Sequence, residues 1–144
     1  MITPGLMTAE VLANLVTSAL ALQFAAFGWR ILREIQLGDE NRRTWFLISD
    51  WLIIGSMCAV VAFCIVLPLA GLGEESLVAK AIASAYVLIA AHPINTAAHY
   101  RLFSRYGRAK YRQSGRDVPY VSDQECLTLT LTVAALAATL VFVR

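Results

Sequence analysis

Four long apolar stretches divide the chain: Val11 to Trp29, Trp45 to Ala70, Val78 to Ala98 and Cys126 to Val143. Each is close to the roughly 20 residues that carry an α-helix across a bilayer core. The pattern predicts an all-α fold, an integral membrane four-helix bundle with spans near 9–33, 45–70, 77–100 and 124–143. Short connections favour antiparallel neighbours, hence an up-down-up-down order. Residues 127–132, Leu-Thr-Leu-Thr-Leu-Thr, alternate with the period of a strand. A lone strand in hydrocarbon would leave its backbone unpaired, so helix is expected there as well.

Polar residues punctuate these stretches where helices should begin and end. Thr8 is suited to cap the first helix, with Glu10 in its first turn and an end near Glu34. Gly38 and its polar neighbours suit a turn, and Trp45 and Trp51 then enter the second span at interface depth. Pro68, Gly71 and Gly73 close the second helix before Glu74, Glu75 and Ser76 open the third. Pro93 lies inside the third helix, where it removes one backbone hydrogen bond and frees the carbonyl of Ile89.

Composition narrows the class. The chain is 58% hydrophobic, against roughly 45–50% in soluble domains. Little is left for a separate soluble domain, so residues 1–144 read as one membrane domain. A net charge of +2 creates no global field for nucleic acid, which is not an expected partner. The basic residues are concentrated: ten of the twelve Lys/Arg follow the first and third spans, leaving Lys80 and Arg144 on the other side. Since such residues stay in the cytoplasm, loops 34–44 and 101–123 are expected there and both termini on the opposite side, in a bacterial-type inner (plasma) membrane. Residues 1–7, MITPGLM, lack a basic n-region, so the first span reads as retained. Cys58, Cys64 and Cys126 are placed neither for a disulfide nor for a metal motif and read as packing residues.

Depth along each helix then groups the polar side chains. Gln23, Asp50, Asn95 and Thr128, one per span, lie about 7–11 Å inside the same boundary at 1.5 Å per residue. His92 is slightly deeper, and Ser84, His92, Asn95, Thr96 and His99 share one face of the third helix. Glu125, Thr128, Thr132 and Thr139 form a stripe on the fourth. Asp50 stands out because an intramembrane carboxylate is usually paired or functional. It can form an ion pair with Arg30 or Arg101, or combine with His92, Asn95 or His99 in a proton- or cation-responsive site. The candidate ion cluster is therefore Asp50, His92, Asn95, His99, Gln23 and Thr128.

A second candidate lies beyond His99. Arg101, Arg105, Arg108 and Arg112 recur at spacings of four, three and four, so a continuing surface helix would align them on one face. Such a strip either keeps the loop inside or binds anionic lipid headgroups or a protein partner.

No Ser-His-Asp constellation, H-E-x-x-H helix, phosphate loop or paired-cysteine motif appears, and no cofactor is indicated. Four-span proteins of this size include the membrane-associated eicosanoid and glutathione enzymes, whose arginine and glutamate motif Asn41-Arg42-Arg43 does not supply. The segment from Ala91-His92-Pro93-Ile94-Asn95 to Arg101 resembles a Pro-containing helix end in small subunits of multisubunit cation/proton antiporters, and it transfers no residue roles. The leading expectation is an accessory or scaffold subunit of a larger membrane complex, self-associating or docking on other subunits through small-residue surfaces. A proton- or cation-translocating subunit is the alternative, and a small membrane enzyme comes third.

Overall fold

The computed structural model describes residues 8–40 and 46–143. Among these are five helices and no strand: α1 (Ala9–Asp39), α2 (Ile48–Leu69), α3 (Glu75–His99), the short α4 (Arg108–Gln113) and α5 (Asp123–Phe142). All but α4 are long and apolar enough to cross a membrane. Arg42, Arg43, Trp45 and Arg144 lie outside the described residues.

Local chemistry explains most boundaries. Thr8 caps α1, its hydroxyl accepting from the Val11 N–H at 3.3 Å. The helix then runs on to Asp39, past the end expected near residue 34, because Ile35, Gln36 and Leu37 are acceptable helix formers. Within α2 the residues Ala62–Val66 form a π-turn just ahead of Pro68, with the Leu67 N–H reaching back to the Ala62 carbonyl. In a regular helix the Pro68 ring would clash with the carbonyl of Cys64, and the wider turn relieves that contact. Gly71 then takes a positive φ of 74°. Its N–H bonds to Pro68 O at 3.0 Å and that of Leu72 to Leu67 O at 2.9 Å, a Schellman ending.

The end of α3 uses the same motif with a less suitable residue. Arg101 N–H bonds to Ala98 O at 2.9 Å and Leu102 N–H to Ala97 O at 3.0 Å, with Arg101 at φ 57°. A side chain in that region costs on the order of 1 kcal/mol. Arg101 is held there by an ion pair to Asp123 and by stacking over the Tyr111 ring, 4.4 Å from its centroid. The continuous surface helix expected from Arg101 to Arg112 therefore does not form. Residues 101–107 turn, and only α4 follows.

Packing centres on α3. It contacts each of the other three long helices, whereas among the described residues α5 packs extensively only on α3. Val16 and Ala19 of α1, Val60 of α2 and Val78, Ile82 and Ala85 of α3 form the apolar cluster. Ala19, Ala85 and Ala98 are fully buried, and their small side chains permit close helix approach. Cys58 and Cys126 are exposed and Cys64 half-buried, so two of the three cysteines are not the packing residues expected. The polar period of residues 127–132 is absorbed by helix: Thr130 and Thr132 donate to the carbonyls of Cys126 and Thr128, both at 2.8 Å.

Because Ala85 sits where three helices meet, Ala85→Leu is expected to destabilise the fold by about 1–3 kcal/mol through overpacking. Exposed Leu131→Ala should change stability by less than about 0.5 kcal/mol. Thermal unfolding of both variants in detergent checks the contrast.

Candidate functional site

Two polar centres are buried where the last turns of α1 and α3 meet the first turns of α2 and α5. The first is built on Asp50. As the third residue of α2, it reaches back to cap its own helix, Oδ2 accepting the Leu47 N–H at 2.8 Å. The same oxygen accepts Arg30 Nε from α1 at 3.1 Å. Its other oxygen lies 2.9 Å from His92 Nε2 of α3. A carboxylate only accepts, so this contact calls for a proton on His92 Nε2. Arg30 Nη2 also donates to Glu34 one turn further on, at 2.8 Å. The side chains of Arg30 and Asp50 are fully buried, His92 nearly so, and Glu34 is 13% exposed.

His99 is the hub of the second centre. Its Nδ1 lies 2.6 Å from Glu125 Oε2 of α5, and its Nε2 lies 2.6 Å from Arg108 Nη1. Guanidinium can only donate, so Nε2 accepts and Nδ1 carries the proton: His99 is held as a neutral imidazole between an anion and a cation. Arg108 further donates to the carbonyls of His99, Pro119 and Tyr120. Burial pushes the Arg108 guanidinium below its ordinary value, against the opposing field of Glu125. It remains a cation at neutral pH. Glu125 belongs to a capping box: Ser122 Oγ accepts the Glu125 N–H at 3.0 Å, and Glu125 Oε2 accepts the Ser122 N–H at 3.3 Å. The Ser122 hydroxyl donates to Ala98 O at 2.6 Å, so the first turn of α5 is fastened to the last turn of α3.

Tyr120 connects the two. Its hydroxyl donates to the Phe46 carbonyl, one residue before the Asp50-bonded Leu47 N–H, and its ring meets His99 edge-on at 6.4 Å. Burial raises the Tyr120 pKa, and the fields of Glu125 and Asp50 add to the shift.

The six residues grouped by depth thus separate by partner. Asp50 and His92 meet directly, whereas Gln23 Nε2 donates to Ser56 Oγ at 2.7 Å and Asn95 Nδ2 to Thr132 Oγ1 at 3.1 Å. Thr128 turns back to the Glu125 carbonyl of its own helix, and His99 belongs to the second centre. Equal depth did not imply contact because each helix rotates its side chains by about 100° per residue. The basic strip separates too: Arg108 turns inward, Arg101 pairs with Asp123, and of the four only Arg105 and Arg112 are exposed. The inward role of Arg108 had no sequence signal beyond its charge. The Ser122-to-Glu125 box did, since Ser followed three residues later by Glu marks a helix start.

Chemically, each centre is a histidine–carboxylate–arginine set. Among the described residues no group of three His, Cys, Asp or Glu could hold a metal. Two outward grooves, of about 500 and 380 Å³, are lined by neither Asp50, His92, His99 nor Glu125. The buried atoms Gln23 Oε1, Ser49 Oγ, Asn95 Oδ1 and Thr96 Oγ1 have no hydrogen-bond partner among the described residues.

No family model, curated protein or solved structure matches this chain.

Proposed function

We propose that the chain is an accessory or scaffold subunit of a larger membrane complex, a compact four-span unit that other membrane subunits pack against. One observation carries this reading: the buried ionisable side chains are engaged in ties between helices, Arg30 to Asp50 to His92 across α1, α2 and α3, and Arg108 to His99 to Glu125 across α4, α3 and α5. Groups so engaged specify which helices meet and in what register. The apolar outer faces, among them Phe24, Leu131 and Val141, then remain for lipid or for neighbouring subunits.

In this reading the helices run up-down-up-down. The ends bearing the two polar centres face the cytoplasm with the basic loops, in a bacterial-type inner membrane, and both termini face away. The exposed Arg105 and Arg112 lie against anionic headgroups on that side.

Proton or cation translocation is the second reading, and the Asp50–His92 contact favours it. A histidine bonded to a carboxylate can exchange a proton at modest energetic cost. The partly exposed Glu34 offers a first relay toward Arg30 and Asp50.

Two measurements separate the readings. Removing only one partner of a buried ion pair costs about 3–5 kcal/mol, whereas replacing both by apolar residues is often neutral. The scaffold reading therefore expects Asp50→Leu to abolish recovery of folded protein, and Arg30→Met combined with Asp50→Leu to restore much of it along with stoichiometric co-purification of partner subunits in mild detergent. Proton or cation flux through liposomes containing the wild type, lost in Asp50→Asn, would instead establish translocation. For orientation, Ser114→Cys in an otherwise cysteine-free chain should be labelled by an impermeant thiol reagent only after cell lysis, and Leu72→Cys before it. The reverse pattern overturns the proposed topology.

A further inference from the structure

The groove of about 500 Å³ between α2, α3 and α5 exists because α5 leans on α3 and leaves its flank toward α2 open. Trp51, Gly55, Ala59 and Phe63 form its α2 wall and Leu136 and Leu140 its α5 wall, with Ala81 and Lys80 on the α3 floor. From Trp51 to Phe63 it extends about 18 Å at 1.5 Å per residue, slightly more than half of a roughly 30 Å hydrocarbon core. At about 500 Å³ over that length it has room for one extended acyl chain. A transmembrane helix, about 10–12 Å across, would displace on the order of 1,500 Å³ over that length and could seat only its outermost side chains.

Charge selects the headgroup. Lys80 is the one charged residue lining the groove, half-buried in a wall whose other polar members are Ser56 and Ser84. Among the described residues no carboxylate lies within ion-pair distance of it. A lysine stem lies along apolar surface while its ammonium reaches toward the interface. We propose that this groove is a binding site for an anionic membrane phospholipid, one acyl chain lying from Lys80 toward Trp51 and the phosphate paired with the Lys80 ammonium. The site is independent of the scaffold reading, since it uses neither polar centre and requires no partner chain.

Gly55 provides a direct test: it lines the groove and a Cβ built there meets nothing within 4 Å, so Gly55→Leu places an apolar side chain at the groove wall. The full chain is reconstituted in nanodiscs containing equal phosphatidylglycerol and phosphatidylcholine, and retained lipid is read by native mass spectrometry after release. Wild type is expected to retain phosphatidylglycerol preferentially. Gly55→Leu should lose the retained lipid altogether, and Lys80→Gln should keep a lipid while its preference for the anionic headgroup falls roughly fivefold, as for one lysine–headgroup charge interaction. Thermal unfolding confirms that both variants remain folded. Retention unchanged in Gly55→Leu, or headgroup preference unchanged in Lys80→Gln, overturns the proposal. Co-purification of partner subunits, measured separately, bears only on the scaffold reading.

Discussion

A carboxylate removed from water must find compensation inside the protein, and at Asp50 that requirement organises three helices at once. One oxygen caps the start of α2 and takes the Arg30 guanidinium of α1, while the other meets His92 of α3. An intramembrane aspartate without such partners costs about 2.5–3.5 kcal/mol at the bilayer centre on insertion scales. Apolar packing alone does little to choose among helix arrangements, because lipid tails are as apolar as the side chains they would replace. The Asp50 contacts choose, since sliding or rotating any one helix would strand a charge.

Glu125 repeats this logic at the other edge of α3. It closes the capping box of its own helix and receives His99 from its neighbour, whose second nitrogen takes Arg108. In both places an acidic residue in the first turn of a helix serves the helix start and the tertiary contact together, where a negative charge also suits the helix dipole. Tyr120 spans the distance between them, so the loop before α5 is anchored to both centres.

The spans were legible because length and hydropathy suffice to mark them, and Asp50, His92 and His99 were legible because an ionisable residue in an apolar run is conspicuous. Arg30 was legible as an ion-pair partner for the same reason. What sequence could not reveal was rotation: Thr128 and Asp50 share a depth, yet one bonds its own helix and the other crosses to two neighbours. The inward turn of Arg108 also escaped, because it depends on α3 stopping at His99. That stop follows from Arg101 adopting a left-handed conformation, sustained by Tyr111 of α4 and Asp123 of α5. Periodic spacing of arginines suggested a helix, and tertiary contacts overrode it. The π-turn before Pro68 was similarly hidden, since proline predicts a disruption without specifying how the backbone absorbs it.

The dependence of α5 on a single neighbour makes the architecture hierarchical. The apolar cluster of α1, α2 and α3 and the Arg30–Asp50–His92 node contain no atom of α5, so peeling that helix away leaves both intact. Losing α3, by contrast, dissolves every long-range tie in the molecule that involves a histidine. During synthesis the first three helices can consequently acquire their mutual arrangement before the fourth emerges, and the carbonyl of Ala98 then waits as the mooring for Ser122.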